Sequence, residues 1–154
     1  FQNSDVQSII ITHGHTDHIA GVANFPDAKI YSHTEEVDLL AEKNVQVDTM
    51  VENGQILVFG DTQIEVFHVT GHTPGNIALL VDTVLIMGDT AQSYKNNTIS
   101  PVAEKYSEEP ETAALSLIEF VEQINSRQDD ISWIAFSHSG ALQGLDSFRQ
   151  YTSQ

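Results

Sequence analysis

Four side chains that can bind metal ions follow directly on a short apolar strand near the start of the chain. The segment Gln7–Thr12 is rich in β-branched residues and predicts a buried strand. It runs into His13, His15, Asp17 and His18 within six residues. Imidazole nitrogens and carboxylate oxygens are ligands that zinc and similar divalent metals accept. Side chains at i and i+2 leave a strand on the same side, so the first two histidines are expected to face one metal.

The order of the predicted elements indicates one α/β domain over residues 1–154. Strand and helix signals alternate in the first part, which favours parallel strands joined by crossover helices. There Thr34 is expected to cap a helix over Glu35–Lys43, with Glu36 near the capping-box position. Strand-like segments separated by turn signals then fill residues 45–87 and predict an antiparallel section.

The clearest helical pattern lies in the last third of the chain, over Glu111–Arg127. Apolar side chains recur there at the spacing of one helix face, which predicts that this face packs on the core. The predicted core positions are Ala114, Leu117, Ile118, Val121 and Ile124.

The composition argues against several classes of partner. Six Lys and Arg stand against 22 Asp and Glu, a formal net charge of −16. Because phosphate backbones are held by Lys and Arg, no nucleic-acid partner is expected. Apolar runs are far shorter than the roughly 20 residues that span a bilayer, so no membrane partner is expected either. The chain has no cysteine, which removes thiolate metal sites, and the partner that remains is a small-molecule substrate.

Later segments complete a pattern that resembles the metallo-β-lactamase fold superfamily. Gly71–Asn76 resembles the family's Gly-His-Thr-x-Gly segment and supplies His72. A Gly-Asp segment supplies Asp89, and the residues after the last predicted strand supply His138. With the opening His-x-His-x-Asp-His motif, the resemblance extends over about residues 7–140.

This resemblance implies an αββα sandwich, in the α/β class, with a dinuclear metal centre. The implied ligands of the first metal are His13, His15 and His72, those of the second are Asp17, His18 and His138, and Asp89 bridges the two. Zinc is the favoured metal, with iron or manganese as alternatives. Asp17 is expected to be catalytic, because it can orient the nucleophile and carry its proton.

The leading functional hypothesis is a hydrolase that uses a metal-bound hydroxide on an ester-like bond, such as a lactone, thioester or lactam. The lack of cysteine excludes the β-lactamase branch that places a cysteine on the second metal. Only 16 residues follow His138, which disfavours thioesterases of the glyoxalase II type with their C-terminal helical domain. The alternatives are a mononuclear iron oxygenase of the same fold, acting on a persulfide, and a non-catalytic metal-binding module.

The start of the chain departs from the family pattern. The family's first motif normally follows a half-sheet of several strands, but only 12 residues precede His13. We therefore expect a fold that is incomplete at its N-terminus, either a fragment of a longer domain or a chain whose missing strands come from a second polypeptide. An unpaired sheet edge is then expected at Gln7–Thr12 or a neighbouring strand.

Four residues near these motifs receive structural interpretations. His33 and His68 are interpreted as non-ligands. His68 lies only four residues before His72, close enough to help orient that ligand without binding the metal itself. Tyr94 is interpreted as an ordinary half-buried tyrosine. Lys95 is the only base near Asp89 in sequence, so small neutral or weakly charged substrates are expected.

Overall fold

Two β-sheets and a small hairpin form the framework of the structure. The structure, a computed structural model, describes residues 2–127 and 130–152. Its strands are β1 (Ser8–Ile10), β2 (Lys29–His33), β3 (Thr49–Val51), β4 (Ile56–Phe59), β5 (Thr62–His68), β6 (Ile77–Val81), β7 (Val84–Ile86), β8 (Gln92–Ser93), β9 (Ile99–Ser100), β10 (Trp133–Ala135) and β11 (Leu142–Gln143). Its α-helices are α1 (Thr16–Ile19), α2 (Val37–Glu42), α3 (Pro110–Asn125) and α4 (Asp146–Thr152). Short 3-10 segments lie at Asn3–Asp5, Val22–Asn24, Thr34–Glu36 and Glu104–Tyr106.

The two sheets differ in how their strands pair. The first sheet has the order β1-β2-β3, and both of its pairings are parallel. The second sheet has the order β11-β10-β7-β6-β5-β4. Its β10 runs parallel to β7, and the other pairings are antiparallel. As a result β5, β7 and β10 point in the same direction, and their carboxyl ends meet at one edge of the sheet.

An apolar layer holds the inner faces of the two sheets together. Side chains of both sheets share one cluster, in which Val51 of β3 packs with Val66 of β5 and Ile77 of β6. The next residue of β6, Ala78, belongs to a different cluster on the outer face of the second sheet. Because β6 is covered on both faces, its sequence is an almost continuous apolar run and not an alternating one.

Helices cover the outer faces of both sheets. On the second sheet, α3 and α4 contribute Leu117, Phe120, Val121, Ile124 and Phe148 to the outer cluster. On the first sheet, Ile19 of α1 and Leu40 of α2 pack with Ile30 of β2. The order of layers is therefore helix, sheet, sheet, helix, which confirms the predicted αββα sandwich. None of the helices in the described ranges is long and apolar enough to cross a membrane.

The structure corrects three local predictions. β3 lies in the section predicted to be antiparallel, but it pairs parallel with β2, so the chain changes sheets between β3 and β4. Thr34 does not cap a helix, because its hydroxyl donates to Glu52. The His33 side chain caps the 3-10 turn Thr34–Glu36 by accepting a hydrogen bond from the Glu35 backbone amide, and α2 begins after that turn. The polar composition of residues 92–110 predicts a loop, but the segment includes β8, β9 and a 3-10 turn.

The buried face of α3 matches the prediction in part. Leu117, Val121 and Ile124 are buried as predicted, but Ala114 is only half-buried and Ile118 is 39% exposed. Ala113 and Phe120 are buried, and Phe120 forms an edge-to-face contact with Phe67 of β5. Phe120 therefore lies on the face of α3 that packs on the sheet, and Ile118 lies on the outward face.

The edge strands β1 and β4, one from each sheet, line a common surface groove. Within the part of the chain that the structure describes, β1 pairs with β2 alone and β4 pairs with β5 alone. The unpaired edge predicted at Gln7–Thr12 is therefore present at β1. Ser8–Ile10 are only half-buried there.

Replacing Leu117 by Ala should lower the free energy of unfolding by about 2–5 kcal/mol, because this side chain is fully buried between α3 and the sheet. Leu115 lies on the same helix but is 64% exposed, so Leu115→Ala should change the free energy of unfolding by less than about 0.5 kcal/mol. Urea unfolding followed by circular dichroism measures both values. Equal losses in the two variants would contradict the four-layer packing.

Candidate metal centre

The predicted site residues follow the carboxyl ends of strands from both sheets. His72, Asp89 and His138 come after β5, β7 and β10, which end at the same edge of the second sheet. The Ile77 backbone amide at the start of β6 donates to the Thr12 carbonyl at 3.0 Å, and this bond brings the segment after β1 to that edge. The topology therefore places the His13–His18 motif opposite the later residues.

One group of side chains is mostly buried, with His15 as its half-buried member. His13 and His72 are 0% and 2% exposed, and their Nε2 atoms lie 3.2 Å apart. The His15 ring centroid is 4.8 Å from that of His13 and 4.6 Å from that of His72. Asp89 completes the group, with its Oδ2 3.5 Å from His72 Nε2. Ligand atoms of these four residues all lie within 4.8 Å of one another.

A second, more exposed group lies beside the first. His138 Nε2 is 3.2 Å from Asp17 Oδ2 and 3.2 Å from His18 Nε2. The side chains of His138 and Asp17 are 53% and 62% exposed. Asp89 lies between the two groups, because its Oδ1 is 3.4 Å from His18 Nε2 and its Oδ2 is 3.5 Å from His138 Nε2. The structure thus brings together all seven residues that the sequence pattern singled out.

The buried group has the donor chemistry that a divalent cation requires. His13 Nδ1 lies 3.2 Å from the Thr12 hydroxyl, and His72 Nδ1 lies 3.3 Å from the Ser107 hydroxyl. When both Nδ1–H groups donate to these hydroxyls, the two Nε2 atoms face each other with lone pairs. Facing lone pairs repel, whereas a cation between them is attracted to both. The residues present therefore fit a metal ion.

Burial and hydrogen bonding shift the ionisation of this cluster. Burial lowers the pKa of His13 to about 2, and the nearby His18 and His72 rings act in the same direction. Burial also lowers the pKa of His72 to about 4. The hydrogen bond with Asp89 raises the pKa of His18 above its ordinary value, and burial opposes this. Both buried rings are therefore neutral near pH 7, the form that binds metals.

Asp89 stays ionised although it is buried. Burial alone would raise its pKa, but the hydrogen bond from His18 and the electrostatic effects of the neighbouring histidines together outweigh burial. The net result is a pKa lowered to about 2. A carboxylate that is charged at neutral pH is therefore available between the two groups of histidines.

A cleft of about 690 Å³ opens over the exposed group and includes residues that the sequence did not single out. Asp17, Asp89 and His138 line it on one side. Lys43 at the end of α2 and Lys105 of the 3-10 turn after β9 also line it. Two of the six bases in this acidic chain therefore face the candidate site. They come from segments far apart in sequence, so no local signal could have identified them.

Tyr94 and Lys95 are placed differently from these lining residues. Lys95 is exposed in the turn between β8 and β9. Tyr94 is 50% exposed, and its hydroxyl accepts hydrogen bonds from Gln92 Nε2 at 2.8 Å and from the Ser100 hydroxyl at 3.2 Å. The aromatic side chain that lines the cleft is Tyr106.

His33 and His68 stack on each other outside the seven-residue cluster, with ring centroids 3.8 Å apart. With Glu35 they form a third group of possible ligands, but each ring also bonds to backbone. His33 Nδ1 accepts from the Glu35 amide, and His68 Nε2 donates to the Pro74 carbonyl at 2.8 Å. His68 therefore supports the loop that carries His72, as its position in sequence suggested.

Acid should destabilise the metal-free protein through the two buried histidines. In the unfolded chain these rings bind a proton below pH 6.5, whereas in the folded chain they stay neutral down to about 2 and about 4. The unfolded state therefore binds more protons as pH falls. Each histidine should remove about 1.4 kcal/mol of stability per pH unit below its unfolded pKa.

Urea unfolding of the metal-free protein at pH 6.5, 5.5 and 4.5 tests this expectation. The variant His72→Gln lacks one of the two groups, so its stability should fall less steeply with acid than that of the parent. Identical slopes would show that His72 is already protonated in the folded protein.

Comparisons with known proteins agree with this geometry. The sequence matches the Metallo-beta-lactamase superfamily over residues 1–138. It is 36% identical over 91 residues to a curated hydroxyacylglutathione hydrolase of Francisella tularensis subsp. novicida, strain U112. That alignment covers 55% of this chain and 34% of the relative, so the chain spans about a third of that protein's length. The short segment after His138 led us to disfavour thioesterases of the glyoxalase II type. The match to a hydroxyacylglutathione hydrolase runs against that expectation.

Solved structures share the fold at lower sequence identity. A metallo-beta-lactamase from Pontibacter korlensis superposes with a TM-score of 0.75 at 16% identity, covering 96% of this chain and 68% of the other. A flavo di-iron protein variant from Thermotoga maritima superposes with a TM-score of 0.71 at 15% identity, covering 99% of this chain and 43% of the other. The family match over most of the sequence and the shared fold show that this chain belongs to the metallo-beta-lactamase superfamily.

Proposed function

We propose that this chain forms the dinuclear metal site of a hydrolase that cleaves an ester-like bond, such as a thioester, lactone or lactam. The observation that carries the proposal is the position of Asp89. Its two oxygens lie 3.4 to 3.5 Å from nitrogens of His18, His72 and His138, which belong to both ligand groups. A carboxylate placed between two sets of histidines suits two metals that share one ligand.

The ligand sets follow from the two groups. The buried set comprises His13, His15 and His72, the exposed set comprises Asp17, His18 and His138, and Asp89 belongs to both. Two bound divalent cations, zinc by preference, would supply a hydroxide near neutral pH and would polarise the oxygen of the bond to be cleaved.

Asp17 is the residue that we assign to proton transfer. Its side chain is 62% exposed and lines the cleft, so it can reach both a water molecule and a substrate. Its Oδ2 lies 3.2 Å from His138 Nε2 and 3.7 Å from His18 Nε2, so one oxygen of Asp17 faces the other two side chains of the exposed set. That carboxylate can orient an attacking water, accept its proton and pass the proton to the leaving group.

The cleft favours a small substrate with at most a few negative charges. Lys43 and Lys105 offer local positive charge at the rim, while the net charge of −16 repels polyanions at longer range. The curated relatives act, by their name, on hydroxyacylglutathione, which is a thioester. Among the ester-like bonds, a thioester with an anionic group elsewhere in the molecule is therefore the favoured substrate.

The two alternative functions make different demands on the site. A mononuclear iron oxygenase needs one metal, whereas a second group with ligand-type side chains is present here. A binding module without catalysis does not need an exposed carboxylate beside the ligands, which Asp17 provides. Both alternatives predict results that differ from those of the hydrolase.

The test combines metal analysis with a panel of substrates. We expect two zinc ions per chain by elemental analysis, and turnover of an acylglutathione thioester or of a simple lactone. An oligonucleotide should be cleaved far more slowly, and added salt should narrow that difference by screening the acidic surface. One iron per chain with oxygen consumption, or nuclease activity without esterolysis, would overturn the proposal.

Replacing Asp17 by Asn should lower kcat by about 100-fold or more, because the amide cannot carry a proton. The melting temperature of the metal-free protein should hardly change, since this side chain is mostly exposed. The matched control is Asp38→Asn, which removes one negative charge from the exposed face of α2. Equal turnover in the two variants would show that Asp17 has no role in the reaction.

A further inference from the structure

Glu36 is a fully buried carboxylate that the proposed reaction does not use. Its exposed fraction is 0%, and it lies where the 3-10 turn Thr34–Glu36 meets α2. Burying a charged group is costly unless hydrogen bonds replace its water. The partners of this carboxylate therefore indicate why it is there.

The two oxygens of Glu36 bond to two different loops of the candidate metal centre. Oε1 accepts a hydrogen bond from the backbone amide of Gly14 at 2.6 Å. Oε2 accepts from the Thr73 hydroxyl and from the Gly75 amide, both at 2.8 Å. Gly14 lies between His13 and His15, and Thr73 directly follows His72. One side chain thus joins the loops that carry the three histidines of the buried set.

The polarity of these bonds requires a carboxylate. Backbone amides only donate, so each oxygen of Glu36 must act as an acceptor. A glutamine of the same shape would turn an NH₂ group toward at least one of these donors. The position therefore distinguishes Glu from Gln by hydrogen bonding and not by size.

Close packing around Glu36 explains two glycines of the motifs. A Cβ added to Gly75 would lie 2.4 Å from the backbone nitrogen of Glu36, a distance that backbone atoms do not allow. A Cβ added to Gly14 would lie 3.1 Å from Glu36 Oε1. The Gly75 loop therefore packs against the backbone of Glu36, and the Gly14 segment packs against its carboxylate.

A residue at the other end of α2 also bonds to Gly14. Lys43, the residue directly after α2, donates from Nζ to the Gly14 carbonyl at 2.5 Å. The peptide groups before and after the Gly14 Cα are thus held by Glu36 and Lys43, at opposite ends of one short helix. These contacts fix the backbone from which His13 and His15 project.

We propose that Glu36 is a positioning residue that sets the geometry of the buried ligand set, His13, His15 and His72, and leaves the exposed set unaffected. The selectivity follows from the positions of its partners: Gly14 is adjacent to His13 and His15, and Thr73 is adjacent to His72, whereas none of the three bonds is made to a residue adjacent to Asp17, His18 or His138. The inference rests on the proposed metal-binding function, because it assigns a role toward a metal in that set.

The first test is Glu36→Gln, compared with Glu42→Gln as the control. Glu42 lies on the same helix but is exposed, so its replacement removes one charge without touching either loop. Zn²⁺ and Co²⁺ titrations of the metal-free protein measure affinity and stoichiometry. We expect one of the two metals to bind about 10–100-fold more weakly in Glu36→Gln and the other to be unchanged. The Co²⁺ absorption spectrum should lose the contribution of the weakened site.

A second measurement needs no metal. In the metal-free protein, amide hydrogen exchange of Gly14 and Gly75 should be faster in Glu36→Gln than in the parent, because both amides lose their acceptor. This result separates the two proposals. If the parent protein binds no metal, the proposed function fails. Slow exchange of these two amides in the parent and faster exchange in Glu36→Gln would still support the role of Glu36 in positioning both loops.

Thr73→Val covers the case in which Glu36→Gln does not fold. This substitution removes one hydrogen-bond donor to Glu36 at nearly constant volume. It should therefore lower the affinity for the same metal, but by less than Glu36→Gln does. Three results would overturn the inference: unchanged affinities in Thr73→Val, equal weakening of both metals in Glu36→Gln, or unchanged exchange of both glycine amides.

Discussion

The crowding of imidazole nitrogens and carboxylate oxygens at one edge of two sheets is the constraint on which the rest of this structure depends. Two histidines that are 0% and 2% exposed place their Nε2 atoms 3.2 Å apart, beside an ionised Asp89. Without a cation, such a cluster combines desolvated polar groups with facing lone pairs, and both destabilise the folded state. Favourable packing elsewhere in the fold must offset this cost. The packed αββα layers provide that stability. The strands of these layers end at one edge, so the candidate ligands project from rigid backbone.

The layers also explain why one carboxylate serves both groups. Asp89 follows β7, which lies between β10 and β6 inside the second sheet. His138 follows β10 on one side of it, and His72 follows β5 on the other. A residue after the central strand is therefore the natural neighbour of both. Its position between the two sets is a consequence of strand order, as is typical of sites at strand ends in α/β proteins.

Much of this arrangement was predictable from local sequence, and the exceptions share one physical cause. The His-x-His-x-Asp-His spacing and the apolar run of β6 are local patterns, and both gave the correct type of structure. The helical pattern predicts a buried Ile118, but the inward face of α3 carries Phe120, whose ring contacts Phe67 of β5. Lys43 and Lys105 reach the cleft only through the fold. Glu36 looked like a helix-capping residue, yet its side chain turns inward to partners 22 and 39 positions away in sequence. Long-range contacts of this kind have no local signature.

The two ligand sets differ in how firmly the protein holds them, and this difference suits two tasks. The buried set is fixed by hydroxyls on His13 and His72 and by the carboxylate of Glu36 behind their loops. The exposed set has side chains of Asp17 and His138 that are more than half exposed and that line the cleft. A rigid set favours strong and permanent binding, since little ordering remains to be done when the ion arrives. An exposed set leaves coordination space open to water and substrate, as a catalytic metal requires. Under the proposed function, the buried metal therefore anchors the site, and the reaction takes place on the side of Asp17 and His138.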